Sequence, residues 1–217
     1  FRSEYSLGES SYPVSVEVVK VAPESAVKAD GDQVVSVRLP SAGFLTDGVV
    51  VLKNALTAPA APIPGTAANG AGLYFYNNVV LKSKDQELLR VFPMWLHWQA
   101  LRHKDQSKYL KATGLDMWTT GADFANGSRD CMLPLGLMPF AKTSKDALDL
   151  KFLENIYLDL SVRKASGAGS PCEGMTTSTI TDIDTHLKYH NLSNEDYSRF
   201  LSNNYSQSKS LSKMMVS

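Results

Sequence analysis

Short runs in which apolar and polar residues alternate restrict the fold of this chain more than any other feature. Residues 33–40 place Val35, Val37 and Leu39 on one face and polar side chains on the other. In residues 182–189 the side chains of one face are Ile183, Thr185, Leu187 and Tyr189. A period of two is typical of β-strands that bury a single face. The sequence therefore predicts a chain built mainly of β-strands.

Further strand signals are spread along the chain. Residues 71–91 predict a hairpin, with apolar arms at 73–81 and 88–91 and a turn at 83–86. The other predicted strands are residues 14–18, 48–52, 131–138 and 148–162, the last of them with a bulge near Asn155. Strands of this number and length indicate an antiparallel sandwich.

Helices and loops occupy the remaining segments. Pro93 is expected to open a helix that carries Trp95 and Trp98 and ends near His103. Ser193 is expected to cap a second short helix, with Asp196 in its first turn. The predicted loops are the proline-rich residues 58–65 and the polar residues 104–130.

These signals together predict an all-β chain folded as an antiparallel β-sandwich with one or two short helices. Residues 1–32 are weakly patterned and are expected to form an N-terminal arm. Residues 33–190 are expected to form the sandwich domain. Residues 191–217 are expected to form a C-terminal helix and a connector, because their Ser-rich tail cannot bury enough apolar surface to order itself.

Composition narrows the choice of partners. The chain has 22 basic and 22 acidic side chains, so its formal net charge is zero. Such a balance gives no general attraction to nucleic acid or to an anionic membrane. It also causes little electrostatic repulsion between copies of the chain. No apolar run approaches the roughly 20 residues that span a bilayer, so no membrane insertion is expected. The two cysteines, Cys131 and Cys172, are expected to be reduced thiols, with Cys131 buried in the core.

Three stretches of the sequence resemble the double jelly-roll major capsid proteins of icosahedral DNA viruses. They are residues 77–91 followed by 94–101, residues 133–140 leading into 147–162, and residues 183–200. The first stretch is similar to the strand, turn, strand and helix of that family's N-terminal roll. The second is similar to its proline-containing strand and the long strand that follows. The third is similar to the last strand of the first roll, which runs into a helix. Adenovirus hexon, the nucleocytoplasmic large DNA viruses and the Polinton-like viruses belong to this lineage.

The resemblance covers roughly residues 33–200, as a pattern and not as identity. It implies a jelly roll that serves as a structural protein of an icosahedral capsid, without enzymatic activity and without a cofactor. It also implies assembly inside the host cell into the virion, as a homotrimer and with other capsid proteins. The family's subunits carry two rolls, and this chain has length for one. It is expected to be either the N-terminal half of a longer chain or a single-roll relative such as a penton or minor shell protein.

Two rival functions belong to other classes of protein. Lectin-like jelly rolls share this strand pattern, so a carbohydrate-binding or receptor-binding sandwich is the main alternative. Trp118, in the polar residues 116–120, is the best candidate for an exposed binding aromatic. An enzyme of the cupin type is a weaker alternative, because its metal site needs a His-x-His pair that this sequence lacks.

Four histidines and two aspartates are candidates for catalysis or metal binding. Asp182 and Asp184 match the Asp-x-Asp of phosphoryl-transfer enzymes, but without a Gly-rich loop they are expected to form a solvent-facing polar edge. His186 and His190 would stand about 13 Å apart on a strand at roughly 3.3 Å per residue, too far to bind one metal. His97 could act as a general base, as could His103, yet no nucleophile motif accompanies either. No catalytic, cofactor-binding or metal-binding residue is therefore assigned.

Basic and aromatic side chains that lie close together in the sequence can indicate nucleic-acid binding. Residues 82–111 carry seven Lys or Arg against three Asp or Glu, a surplus of four. Four aromatic residues in and near this segment could stack on bases: Tyr74, Tyr76, Trp95 and Trp98. Apolar side chains at strand and helix spacing are more often part of a core. Nucleic-acid binding is therefore not expected, and the two tryptophans are expected to pack the helix onto a sheet.

Overall fold

The computed structural model describes residues 15–41, 43–57, 71–103, 106–113, 127–138, 147–151, 153, 155–165, 167–171, 177–199 and 201–202. The strands are β1 (Ser15–Val21), β2 (Gln33–Arg38), β3 (Phe44–Thr57), β4 (Tyr76–Ser83), β5 (Gln86–Val91), β6 (Gly127–Pro134), β7 (Leu148–Asp149), β8 (Ile156–Val162) and β9 (Thr177–Asn191). The helices are α1 (Ala71–Tyr74), α2 (Pro93–Arg102) and α3 (Gln106–Thr113), with a 3-10 turn at Leu135–Leu137. Residues 194–199 are also helical.

The strands form two antiparallel sheets packed face to face. The five-stranded sheet has the order β1-β9-β3-β6, with β7 beside β3, and the four-stranded sheet has the order β2-β8-β4-β5. The chain passes repeatedly from one sheet to the other, so that β1 and β3 lie in the first sheet while β2 and β4 lie in the second. This order of eight main strands is a jelly roll, as the sequence predicted.

The core lies between the two sheets and is built by the predicted alternation. Val35 and Val37 on β2, Leu158 on β8, and Leu187 and Tyr189 on β9 are each at most 1% exposed. The β1–β9 and β2–β8 ladders run without a register shift. A one-residue slip would turn these side chains to the solvent, and the alternation therefore fixes the register.

The predicted N-terminal arm contributes a strand to the sandwich. Residues 15–21 of the predicted 1–32 arm form β1, which pairs with β9 along its whole length. Val19 and Val21 pack against the core, whereas Val16 and Val18 face outward. The strand predicted at residues 14–18 is therefore present, and it continues to Val21, because valines at alternate positions complete the edge of the sheet.

Two loop and strand predictions in the middle of the chain were wrong. Residues 73–74, expected to be extended, belong to helix α1, and β4 begins only at Tyr76. Helix α3 lies within the predicted 104–130 loop, where Tyr109 and Thr113 stand four residues apart and are both buried. This spacing gives the helix one inward face that its polar composition hides.

The predicted strand over residues 148–162 is two strands in different sheets. β7 pairs with β3, and β8 begins at Ile156 in the other sheet. Asn155, at the predicted bulge, has a φ of 51° and ends the crossing between the sheets. The predicted strand over 131–138 likewise ends at Pro134, where the chain enters the 3-10 turn.

Candidate functional site

The Asp-x-Asp pair links three strands on the outer face of the five-stranded sheet. Asp184 on β9 is only 6% exposed and lies 2.9 Å from the Nζ of Lys20 on β1 and 2.7 Å from the Nζ of Lys53 on β3. Hydrogen bonding to Lys53 and then to Lys20 lowers the pKa of the Asp184 carboxyl. Asp182 is 3.4 Å from the same Lys53 and is much more exposed. The predicted solvent-facing edge was therefore wrong for Asp184, because β9 lies between β1 and β3.

The four-stranded sheet carries a similar aspartate. Asp159 on β8 forms an ion pair with Lys82 on β4, and it accepts a hydrogen bond of 2.7 Å from the Ser36 Oγ on β2. A polar groove of about 530 Å³ lies around this aspartate, and its wall includes Tyr157 and Asn155. Each sheet thus has a central strand whose shielded carboxylate binds side chains of the neighbouring strands.

The four histidines do not come together. The His97 Nδ1 lies 2.8 Å from the Tyr74 hydroxyl, and the His103 ring packs edge-on against Tyr109 at 4.3 Å between centroids. His186 and His190 lie on strand β9, as predicted, and partial burial lowers the pKa of His190. Among the residues that the structure describes, no three His, Cys, Asp or Glu side chains are placed to hold a metal ion.

The aromatic residues proposed for base stacking are divided between the interior and the surface. Tyr76 is fully buried, and this burial raises the pKa of its hydroxyl. Trp95 is partly buried and packs against the core, as predicted. Trp98 is 48% exposed, so its predicted packing role was wrong. These side chains therefore form no common platform for nucleic-acid bases.

Other predicted features have mixed outcomes. Cys131 is 2% exposed, which confirms its predicted place in the core. Cys172 and Trp118 lie outside the described residues. In the described part of the chain, no helix combines the length and the apolar character needed to cross a membrane.

Helix α2 is apolar on two faces. Its inner face buries Pro93, Leu96 and Ala100. The outer side, with the residue before the helix, carries four exposed apolar side chains that we call the helix patch: Phe92 (54% exposed), Met94 (70%), Trp98 (48%) and Leu101 (46%). The Arg102 guanidinium stacks over the Trp98 ring at 4.3 Å from its centroid. The spacing 94, 98, 101 was visible in the sequence and would have indicated this second face.

The outer face of the five-stranded sheet is also partly apolar. An open groove of about 330 Å³ crosses it, and we call it the strand groove. Its apolar lining consists of Val18, Val49, Tyr109, Ala112, Met132, Pro134 and Leu187. Val18 is 68% exposed, and Val16, two positions earlier on β1, is 56% exposed. The unbroken run 49–51 in β3, with apolar residues facing both ways, is the sequence signal for such a sheet.

Several solved structures of viral capsids and capsid proteins are similar to this chain in fold. A crystal structure of VP54 from the virus PBCV-1, fitted into a reconstruction of the virophage Sputnik, covers 90% of this chain with a TM-score of 0.66 and 16% identity. A quasi-atomic model of the PBCV-1 capsid gives a TM-score of 0.65 at 16% identity. The Faustovirus major capsid protein covers 91% with a TM-score of 0.61 at 8% identity.

These matches concern the fold. The chain spans 46% of the PBCV-1 chains and 58% of the Faustovirus chain, about half of the structures that it matches. No protein-family model and no curated protein matches the sequence. The chain therefore has the jelly-roll fold that these capsid proteins contain, as the sequence resemblance predicted.

Proposed function

We propose that this chain is a structural building block of an icosahedral viral capsid. The observation that carries the proposal is the likeness of fold to capsid proteins of PBCV-1 and Faustovirus over nine-tenths of the chain. The fold alone does not decide function, since jelly rolls also occur in lectins. What adds weight is the surface, which exposes two apolar areas of the kind that subunit contacts cover.

The partners in this proposal are copies of the chain itself and other capsid proteins. A homotrimer is the expected assembly, formed inside the host cell and found in the virion. Zero formal net charge supports packing between like copies, and it offers no general attraction to nucleic acid. Membrane insertion forms no part of the proposed role.

The proposal assigns no catalytic residue. The side chains that could have carried chemistry have structural contacts instead: Asp184 binds Lys20 and Lys53, and His97 contacts Tyr74. The carbohydrate-binding alternative depended on Trp118, which lies outside the described residues, and no observation on the described surface favours it.

Residues 191–217 are proposed to be a connector that follows the sandwich of residues 33–190. Leu192 and Tyr197 pack with Phe44 and Ala147 in a small apolar cluster that is separate from the main core. The Tyr197 hydroxyl also donates a 2.8 Å hydrogen bond to Asp149. These contacts fasten the first residues of the connector to the outside of the roll.

Electron microscopy of the purified full chain tests the proposed function. We expect discrete ring-shaped trimers, with sandwich-shaped density for each subunit. A preparation that contains only isolated single rolls at micromolar concentration would contradict a role in shell building. Binding to a carbohydrate array by the same preparation would favour the lectin-like alternative.

A further inference from the structure

Large exposed apolar side chains are concentrated in two places on the described surface. The helix patch contains four of them, and the outer face of the five-stranded sheet contains three: Val16, Val18 and Met132. These seven account for most of the nine such residues described, the others being Val34 and Leu88. Single exposed apolar residues are ordinary, but grouped ones mark binding surfaces.

We propose that the helix patch of one copy binds in the strand groove of the next copy. The inference rests on the proposed function, which requires contacts between copies, and it names the two surfaces that make them. The two surfaces differ in shape and sequence, so each finds its complement on another copy and not on itself.

Shape supports this pairing. Met94, Trp98 and Leu101 follow the spacing i, i+4 and i+7 and form a ridge along one side of α2. An amphipathic helix typically places residues at this spacing into an apolar groove of its partner. The strand groove is open and mostly apolar, and its volume of about 330 Å³ lies at the lower end of the range of ligand-binding clefts.

The polar surroundings also fit a protein interface. The lining of the groove includes Asp47 next to Lys188 on the neighbouring strand, and Lys108 on α3. An apolar centre with polar side chains of both signs around it is the usual composition of an interface. On the helix patch, Trp98 and Arg102 are the residue types that contribute most to binding energy. In the proposed contact, the Asp47 carboxylate of one copy pairs with the Arg102 guanidinium of the next copy.

The symmetry of the assembly follows from the two different surfaces. A contact between unlike surfaces is heterologous, and it produces a closed ring when the rotation between copies completes a circle. Three copies joined in this way would form the trimer of the proposed function. A two-fold dimer would instead need one surface to bind itself.

A mixing experiment with two charge substitutions tests this arrangement in the full chain. Val18→Glu places a charge at the groove, and Met94→Glu places one on the ridge. At 68% and 70% exposure, both positions tolerate the substitution without loss of folding. Val34→Glu is the matched control, because Val34 is 60% exposed and lies on the other sheet, outside both surfaces. Each protein is measured by light scattering after size exclusion, alone and in an equimolar mixture.

We expect the control to assemble like the unmodified chain and each interface variant to be a monomer when alone. The mixture should form one-to-one dimers and no larger species, because only one intact contact remains between the two variants. Homodimers of either variant, or a mixture that stays monomeric, would overturn the inference while leaving self-assembly intact. An unmodified chain that stays monomeric would instead contradict the proposed function.

Discussion

Asp184 and Asp159 hold the central strand of each sheet to the strands on either side. Both carboxylates are less than a tenth exposed, and both have a lysine partner on a neighbouring strand. A shielded carboxylate is stable in its charged form only when cations or donors surround it, as Lys20 and Lys53 surround Asp184. These ion pairs therefore link neighbouring strands on the outer faces of the sheets.

Replacement of Asp184 by Asn should lower the stability of the roll in a pH-dependent way. Because the pKa of Asp184 is lowered in the folded chain, its stabilisation is present above the ordinary value of 3.8 and is lost as the pH falls through the folded pKa. Asp184→Asn should therefore lower Tm by a few degrees at pH 7, and the loss should shrink progressively as the pH falls below 3.8. The control is Asp182→Asn, which loses only a long, exposed ion pair. A loss of Tm that does not shrink as the pH falls would refute this account.

Substitution of Leu187 tests whether the sequence alternation marks the core. It is 0% exposed on β9, so Leu187→Ala should reduce the free energy of unfolding by about 2–5 kcal/mol. Leu88→Ala removes a leucine that is 37% exposed and should cost no more than about 0.5 kcal/mol. Urea unfolding of both variants measures the difference. Similar losses would mean that the alternation does not mark the core.

Among the elements, helix α2 shows how one segment combines packing and binding. Leu96 and Ala100 fasten it to the sandwich, and the opposite side carries the helix patch. Mutations on the two sides of α2 should therefore affect stability and association between copies separately. Leu96→Ala should cost about 2–5 kcal/mol of stability, because the side chain is fully buried.

Trp98→Ala should leave Tm nearly unchanged and weaken association between copies. Its ring is 48% exposed and stacks mainly with Arg102 of the same helix. Differential scanning calorimetry compares its Tm with that of Leu96→Ala, and light scattering compares their masses. A large drop in Tm for Trp98→Ala would show that the ring belongs to the core and has no role in contact.

The elements also show how far sequence reasoning reaches. Alternation correctly placed the strands around Val37 and Leu187, because it reports which side chains face the core. It could not divide residues 148–162 between two sheets, since both sheets face the same core and the even spacing resumes after a gap at Glu154 that also fits a bulge. Helix α3 was missed because its sequence is mostly polar, and among its described side chains the fully buried ones are Tyr109 and Thr113.

The candidate binding surface was only partly predictable for a related reason. Sequence spacing shows that α2 has apolar residues on more than one side, but it does not show which side the sandwich covers. Trp98 was therefore assigned to the core, although Leu96 and Ala100 fill that position. The strand groove depends on β1, β3, β6 and β9 meeting side by side, and this order of strands arises only in the folded roll.

At the scale of the whole molecule, the described part of the jelly roll encloses one main core and exposes two apolar surfaces. The core is continuous between the sheets, and the small cluster around Phe44 and Tyr197 fastens the C-terminal helix outside it. Association with further copies would remove both apolar surfaces from water, which is the main favourable term in such contacts.

Sedimentation equilibrium of the full chain over the micromolar range tests the proposed role in a capsid most directly. The account predicts a reversible association whose limiting mass is three times that of the chain. Trp98→Ala and Val18→Glu should each shift the distribution toward the monomer. A single ideal species with the mass of one chain at every concentration would contradict the account.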